Sequence, residues 1–291
     1  MQKFTGTGVA LITPFKEDLS IDFNALEKLV NYNIDNGTNY LVINGTTAES
    51  ATLTKAERQQ IINAIVKTNQ GKLPLVLGIG GNNTTAVVED LQTTDLSKID
   101  GILSVAPYYS KPTQEGFYQH FKAIAQATEK PIILYNVPGR TAKNMDANTT
   151  LRLARDFSNV VGVKEAGNNM QQYLELIRDK PKDFLVISGD DDLALSVTLA
   201  GGSGVISVIG QAFPKQFSTL INHGLEGNNK QGYAIHFKMM EIIDLIFAEN
   251  NPAGVKFVLQ QLNICRDTVR LPLVNASEDL QTKIAAFVKQ F

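Results

Sequence analysis

Short, almost wholly apolar runs recur eight times along the chain. They read GVALITPF (8–15), YLVINGT (40–46), LPLVLGIG (73–80), GILSVAP (101–107), PIILYNVP (131–138), VVGVKEA (160–166), FLVISGD (184–190) and GVISVIG (204–210). A strand that is covered on both faces lacks the alternation of a half-exposed strand, and parallel sheets place their strands in that environment. The pattern therefore predicts eight buried, parallel strands.

Amphipathic helical patterns lie between most of these strands. In residues 22–37 the apolar side chains fall on one stripe, and the pattern ends at a glycine. In residues 54–71, Thr54 is a predicted N-cap and Glu57 completes a capping box. Strands that alternate with helices in this way predict a (β/α)8 TIM barrel, with an open doubly wound sheet as the alternative.

Three more helical patterns follow the eighth strand, at 230–247, 252–264 and 277–291. One of them is needed to complete the outer ring of the barrel, and the others are expected to pack on its flank. We therefore predict a barrel over residues 1–224 and a C-terminal helical extension over residues 225–291.

Composition and charge narrow the class of protein. The chain has 291 residues, is 43% hydrophobic and 19% charged, and carries a net charge of −2. This balance, without a basic block, does not indicate a nucleic acid or an anionic membrane as a partner. No apolar run is long enough for a membrane helix, and the N-terminus lacks a signal-peptide pattern. Since Cys265 is the only cysteine, no intrachain disulfide is possible, and we expect a cytoplasmic protein.

Reactive and polar side chains cluster at the carboxyl ends of the predicted strands, where TIM barrels carry their chemistry. They are one amine, one guanidinium, three phenols and two hydroxyls: Lys164, Arg140, Tyr108, Tyr109, Tyr135, Thr46 and Thr47. A charged amine in a core strand is costly. Because adjacent strand residues point to opposite faces, Glu165 is poorly placed to pair with Lys164. The amine therefore calls for a chemical explanation.

This set of groups suits a Schiff-base mechanism. A buried amine favours its neutral form, which can attack a carbonyl and give an iminium that accepts electrons from an adjacent C–H bond. Hydroxyl groups can relay the protons, and an arginine can hold a carboxylate with two hydrogen bonds. The residues predict a class I aldolase-type lyase that acts on an α-keto acid.

Most of these residues also have ordinary structural explanations. Tyr135 fits a strand aromatic, Tyr108 fits core or interface packing, and Arg140 fits a helix cap or a surface ion pair. Thr46 and Thr47 fit a turn or a helix N-cap.

A metal site or a nucleotide site is not indicated by the sequence. The acidic run GDDD (189–192) suits a helix N-terminus, and the three histidines show neither H-x-H nor H-E-x-x-H spacing. GIGGNN (78–83) does not match the dinucleotide-binding pattern G-x-G-x-x-G. A zinc-dependent aldolase is therefore disfavoured, and we expect no metal.

Six motifs resemble the dihydrodipicolinate synthase family. They are GTTAESATL (45–53), APYYSKPTQEGFYQHF (106–121), YNVPGRT (135–141), GVKEA (162–166), SGDD (188–191) and GGSGVISV (201–208). The resemblance runs in order to RLPL (270–273) and so covers essentially the whole chain. GVKEA alone indicates only the wider group of pyruvate-dependent aldolases. The arginine of YNVPGRT is more specific, because it distinguishes this branch from the lyases of sialic acid and sugar acids.

The resemblance implies the substrates and the catalytic groups. The family condenses pyruvate with L-aspartate-4-semialdehyde, the committed step toward diaminopimelate and lysine. By resemblance, Lys164 forms the Schiff base with pyruvate and Tyr135 is the general acid and base. Thr46 and Tyr109 complete a proton relay with Tyr135, and Tyr109 is expected to come from a neighbouring subunit.

Binding groups and assembly follow from the same resemblance. Thr47 and the backbone of Ile206 are expected to hold the pyruvate carboxylate, and Arg140 to receive the carboxylate of the semialdehyde. No cofactor is expected beyond the covalent pyruvate imine on Lys164. The expected assembly is a homotetramer built as a dimer of dimers, with a dimer as the alternative.

The motifs also bear on feedback inhibition by L-lysine. Lysine-sensitive members of the family carry histidines and a glutamate where this chain has Lys55, Arg58 and Ala86. Two cations and a missing carboxylate oppose the binding of an ammonium group. Other positions match the inhibitor site of those members: Ser50, Ala51, Asn82 and Tyr108. On balance we expect weak or absent inhibition.

Two other functions are compatible with parts of the pattern. A sister lyase that cleaves sialic acid or a 2-keto-3-deoxy sugar acid would share Lys164 and Tyr135 but would not need Arg140. A barrel that serves only in binding or regulation would be expected to lose the lysine or the tyrosine, and this chain keeps both.

Overall fold

The computed structural model describes residues 2–291 and contains a closed barrel of eight parallel strands in chain order, with the last strand paired to the first. The strands are β1 (Gly6–Ala10), β2 (Tyr40–Ile43), β3 (Leu75–Gly78), β4 (Gly101–Val105), β5 (Ile132–Asn136), β6 (Val160–Glu165), β7 (Leu185–Ser188) and β8 (Gly204–Ser207). The predicted (β/α)8 barrel is confirmed, and the open sheet is wrong. Most strands end before the predicted runs do, because the chain turns at once into loops and helices, as at Pro138, where a helix begins.

Twelve α-helices lie within the described residues. They are α1 (Phe23–Asp35), α2 (Lys55–Asn69), α3 (Thr84–Thr93), α4 (Gln114–Gln126), α5 (Pro138–Thr141), α6 (Ala147–Asp156), α7 (Met170–Asp179), α8 (Ala194–Leu199), α9 (Pro214–Leu225), α10 (Asn229–Phe247), α11 (Ala253–Gln261) and α12 (Glu278–Gln290). The predicted capping box of α2 is present, since Thr54 and Glu57 each accept a hydrogen bond from the other's backbone N–H. Among residues 2–291 no helix is both long and apolar enough to cross a membrane.

The helices predicted after the eighth strand are present as α10, α11 and α12. Helix α10 packs against α9, and α12 packs against both α10 and α11. Ser277 caps α12 as predicted. At the end of α12, the ring of Phe291 lies 5.0 Å from the ring of Phe213, a residue of the segment that joins β8 to α9. The domain boundary after residue 224 falls in the last turn of α9 and stays a prediction.

The apolar core has an inner and an outer layer. The inner layer fills the barrel and includes Tyr40, Tyr135, Ile187 and Ile206, whereas the outer layer lies between the strands and the helices. Side chains alternate between these layers along each strand. A polar residue at the carboxyl end of a strand therefore reaches either the mouth of the barrel or the shell beneath the helices.

A β-bulge at the start of β6 changes which side chains of that strand face the barrel. Ile132 pairs with Val160, but Ile133 pairs with Gly162, so Val161 is an extra residue in β6. One extra residue reverses the inward and outward positions beyond it. Lys164 consequently faces the interior beside Tyr135, its partner in register on β5.

Candidate active site

A cavity of about 590 Å³ opens at the carboxyl ends of β2 to β5. Four of the seven reactive and polar residues predicted at the strand ends line it: Thr46, Tyr108, Tyr135 and Arg140. The cavity also extends along α2 to Asp90 on α3. It is large enough for small organic acids, and its wall carries a phenol, a hydroxyl and a guanidinium.

Lys164 lies behind the cavity wall, against one of the lining residues. Its side chain is 5% exposed, and its Nζ is 4.4 Å from the centre of the Tyr135 ring. Lys164 does not line the cavity, but Tyr135, which it contacts, does. A Cβ at Gly189 would lie 2.9 Å from Cε of Lys164, so this glycine makes room for the lysine stem. These contacts hold the Lys164 side chain behind the cavity wall, next to Tyr135.

Glu165 points away from Lys164 into the shell beneath the helices, as strand alternation predicts. Its carboxylate accepts hydrogen bonds from the side-chain amides of Asn136, at 2.9 and 3.0 Å, and Gln172, at 2.8 Å. Burial raises the pKa of this carboxyl to about 7, although both hydrogen bonds act against the increase. Glu165 therefore helps to join β5, β6 and α7 and does not neutralise Lys164.

Thr46 and Thr47 lie in a 3₁₀ turn, Thr46–Ala48, directly after β2. Thr46 lines the cavity, whereas Thr47 is buried and its hydroxyl accepts a hydrogen bond from Asn251 Nδ2 at 3.0 Å. Thr13 holds the turn from the other side, since its hydroxyl donates to the carbonyl of Ala48 at 2.7 Å. Asn251 also lines the cavity and was missed in the sequence, where it stands only as part of an Asn-Pro turn signal.

Tyr109 is separated from the cavity of its own chain. Its side chain is 89% exposed, and it does not line the cavity that Thr46 and Tyr135 share. Its φ of 69° is in the left-handed region, which a bulky side chain seldom adopts. Such conformations persist only when their surroundings require them and are common at functional sites. The described chain alone does not assemble the predicted three-hydroxyl relay.

Ile206 lies on β8, where a buried carboxylate holds the residues that follow. Asp191 accepts hydrogen bonds from the backbone N–H groups of Val208, at 3.1 Å, and Ile209, at 2.9 Å. Burial raises the pKa of Asp191 to about 6. This aspartate of the GDDD run therefore anchors the end of β8, and within residues 2–291 no group of three or more His, Cys, Asp or Glu is placed to hold a metal ion.

Arg140 projects from the short helix α5 and is exposed at the cavity. Its backbone N–H donates to the carbonyl of Val137 at 2.9 Å. None of the ion pairs formed among residues 2–291 includes its guanidinium. The surface ion pair considered from the sequence is therefore not formed in the described chain, and the guanidinium is available to a bound carboxylate.

The arm of the cavity along α2 contains both cations that are expected to oppose inhibition by lysine, Lys55 and Arg58. Lys55 Nζ lies 2.9 Å from Asp90 Oδ1, and this ion pair raises the pKa of Lys55. Arg58 donates to the carbonyl of Ser50 at 2.8 Å. The charge of Lys55 is thus balanced by Asp90, whereas Arg58 faces a neutral acceptor.

Comparison with known proteins places this architecture in one family. The model of the dihydrodipicolinate synthetase family matches residues 3–291. The 4-hydroxy-tetrahydrodipicolinate synthase of Flavobacterium psychrophilum is 58% identical over 290 residues, which cover 100% of this chain and 99% of that protein.

Solved structures of the same family have the same fold as this chain. The dihydrodipicolinate synthase from Aquifex aeolicus superposes with a TM-score of 0.95 at 39% identity, over 99% of this chain and 98% of that one. The DHDPS from Cyanidioschyzon merolae, solved with lysine bound, superposes with a TM-score of 0.94 at 34% identity, over 98% of this chain and 97% of that one. The chain belongs to the dihydrodipicolinate synthetase family.

Proposed function

We propose that this chain is a 4-hydroxy-tetrahydrodipicolinate synthase, which condenses pyruvate with L-aspartate-4-semialdehyde. One observation carries the assignment of chemistry. A buried amine, Lys164, packs against the phenol ring of Tyr135, and Tyr135 shares a cavity with the unpaired guanidinium of Arg140. A nucleophile, a proton-transfer group and a carboxylate receptor are the three parts that this reaction needs.

The amine of Lys164 begins the reaction by attacking the carbonyl carbon of pyruvate. Tyr135 protonates the departing oxygen, water leaves, and an iminium forms. Tyr135, which has given up its proton, accepts one from the pyruvate methyl group and leaves an enamine. The enamine carbon then attacks the aldehyde of the second substrate. A proton returned through Tyr135 neutralises the new alkoxide. The substrate's own amine then attacks the imine carbon, closes the ring and releases Lys164, so no metal or other cofactor is needed.

Two groups are proposed to hold the pyruvate carboxylate. The Thr47 hydroxyl already accepts a hydrogen bond from Asn251, so its own proton remains free to donate. The backbone of Ile206 is fixed in β8, which Asp191 anchors just beyond it. Both contacts come from buried parts of the barrel, and pyruvate would therefore meet a preorganised site.

Tyr109 is proposed to act in a neighbouring subunit. Its exposed ring and left-handed backbone present the phenol to the outside of its own chain. There it would complete the relay with Thr46 and Tyr135 of the partner. The proposed assembly is a homotetramer built as a dimer of dimers, and a forced monomer should be folded but poorly active.

The reaction is tested by supplying pyruvate and L-aspartate-4-semialdehyde and measuring the condensation product. We expect turnover with this pair. In parallel incubations the protein should not release pyruvate from sialic acid or from a 2-keto-3-deoxy sugar acid. Cleavage of either sugar acid without turnover of the semialdehyde would instead identify the sister lyase.

Arg140→Ala should impair use of the semialdehyde more than formation of the pyruvate imine. Loss of a charge-assisted, two-point contact is expected to lower kcat/KM for the semialdehyde about 10- to 100-fold, or about 1.5–3 kcal/mol. Steady-state kinetics and imine trapping measure the two steps separately. Arg152→Ala is the matched control, because it removes a surface arginine that pairs with Glu115. Equal loss of both steps would assign Arg140 a structural role.

L-lysine should inhibit this enzyme weakly or not at all. An incoming ammonium group would meet Arg58, and Ala86 supplies no carboxylate to attract it. The Lys55–Asp90 ion pair reduces the repulsion expected from Lys55, so the prediction depends mainly on Arg58 and Ala86. Assays at rising lysine concentration measure it, and half-inhibition at sub-millimolar lysine would contradict it.

Ala86→Glu is the informative variant for this prediction. Ala86 is the third residue of α3, and Asn83 caps that helix by accepting from the Ala86 N–H. Glutamate suits this position of a helix, so the variant should fold normally. It should increase sensitivity to lysine measurably if the missing carboxylate limits binding.

A further inference from the structure

A fully buried ion pair joins the turn after β2 to the C-terminal helix α11. The side chains of Lys256 and Glu49 are 0% and 1% exposed, and Lys256 Nζ donates to Glu49 Oε1. The same Nζ donates to the carbonyl of Thr268 at 2.8 Å. The two residues of the pair are 207 positions apart in the chain. Residues far beyond the eighth strand therefore reach the site.

The second oxygen of the Glu49 carboxylate is also occupied. It accepts a hydrogen bond from the backbone N–H of Arg270 at 2.8 Å. The Arg270 guanidinium donates to the carbonyl of Thr52 at 3.1 Å and binds Glu57 on α2. Lys256 Nζ and Arg270 Cζ both lie over the ring of Phe15, at 4.3 and 4.4 Å. One carboxylate thus ties the turn to two C-terminal segments.

The backbone of Glu49 explains why the turn needs such an anchor. Glu49 has a φ of 55° and separates two 3₁₀ turns, Thr46–Ala48 and Ser50–Thr52. A residue with a side chain keeps a left-handed conformation only where other contacts enforce it. The Glu49 N–H donates to the carbonyl of Thr46 at 3.1 Å. A shift of the Glu49 backbone would therefore also move Thr46.

Stability alone is a poor explanation for the pair. Two buried charges must be removed from water, and apolar residues of similar volume often give equal or greater stability. The cost of desolvation is visible in Lys256, whose pKa is lowered mainly by burial. Thr47 is held by the same region, because Asn251 lies two residues before the start of α11 and donates a hydrogen bond to the Thr47 hydroxyl. The C-terminal chain therefore fixes the turn at two points.

We propose that Glu49 and Lys256 are positioning residues that hold Thr46 and Thr47 in place for pyruvate binding and proton transfer. On this assignment α11 belongs to the catalytic unit as well as to the outer shell. The proposal rests on the proposed function, since it names what holds two of its site residues.

The test is a double variant, Glu49→Met with Lys256→Met, which removes both charges and keeps the side-chain volume. We expect its thermal unfolding to stay close to that of the parent. Its kcat/KM for pyruvate should fall about 100-fold, since small displacements of binding groups have effects of that size. Hydrogen exchange should become faster in residues 45–53. Lys283→Met, which breaks the exposed pair with Asp279, is the control and should change none of the three measurements.

Glu49→Gln combined with Lys256→Met is the second variant, in case the double methionine variant does not fold. It leaves no unpaired buried charge and keeps a carbonyl acceptor for the Arg270 N–H, so we expect a smaller fall in kcat/KM, again with faster hydrogen exchange in residues 45–53. Parent-like kcat/KM and parent-like exchange in a folded variant would overturn the proposal. Trapping of pyruvate by the parent tests the proposed function separately, and exchange of residues 45–53 reports on positioning even if the parent binds no pyruvate.

Discussion

Lys164→Ala is expected to lose nearly all turnover and all trapping of pyruvate, while the barrel still folds. The variant lacks the amine proposed to form the iminium. Lys55, the other lysine at the cavity, is held in an ion pair with Asp90 and lies away from Tyr135, so it is not expected to replace Lys164. Borohydride reduction of the parent with pyruvate, followed by mass spectrometry of the chain and its peptides, should add one reduced pyruvate at Lys164. The same treatment should leave Lys164→Ala unlabelled.

Two further variants separate chemistry from packing. Lys164→Met keeps most of the buried volume between Tyr135 and Gly189 and should also be inactive. Lys143→Ala removes an exposed lysine three residues after Arg140 and should keep both labelling and turnover. Labelling of the parent at any lysine other than Lys164, or at none, would remove the basis of the mechanism.

The eight strands of the barrel could be predicted because parallel strands that are covered on both faces have continuous apolar sequences. The same physics explains why the ends of the strands were less certain. In YNVPGRT, for example, the strand ends at Asn136, and Pro138 begins α5, so one apolar run contains two elements. Local capping signals were more exact, as at Thr54 and Ser277.

The orientation of Lys164 could not be derived from alternation along the run. If Val161 faces the barrel, strict alternation sends Glu165 inward and Lys164 outward. The bulge at Val161 reverses that order. The bulge arises from the way β6 pairs with β5, and the pattern of residues along β6 alone carries no information about that pairing. The resemblance to the family supplied the proposed role of Lys164, and the bulge explains why its side chain faces the barrel.

The anchoring of the Thr46–Ala48 turn was also missed. Glu49 and Lys256 belong to separate local patterns, and only the tertiary fold brings them together. One signal was available in the sequence AGVKFVL (253–259), where the lysine has apolar neighbours on every side of the predicted helix. A lysine in such a run is expected to be buried and therefore paired.

Tyr135→Phe and Thr46→Val are each expected to lower kcat about 10²- to 10⁴-fold, because each removes one hydroxyl from the proposed proton relay. Tyr135→Phe keeps the ring that packs on Lys164, so the amine should stay in place. Pyruvate should still be trapped, but more slowly, because Tyr135 is also proposed to assist the loss of water during imine formation. Single-turnover and steady-state measurements separate imine formation from the later steps. Tyr109→Phe should behave similarly if the partner subunit supplies that phenol.

Tyr40→Phe is the matched control for these variants. Tyr40 is a buried phenol of the inner core whose hydroxyl donates to the carbonyl of Val205 at 3.3 Å, outside the cavity lining. Loss of the Tyr40 hydroxyl should leave kcat nearly unchanged. In the proposed relay Tyr135 and Thr46 act as one unit, so the variant that lacks both hydroxyls should be little worse than the more damaging single variant. Near-normal turnover in both single variants would mean that the protons travel by another route, and additive losses in the double variant would mean that the two hydroxyls act in separate steps.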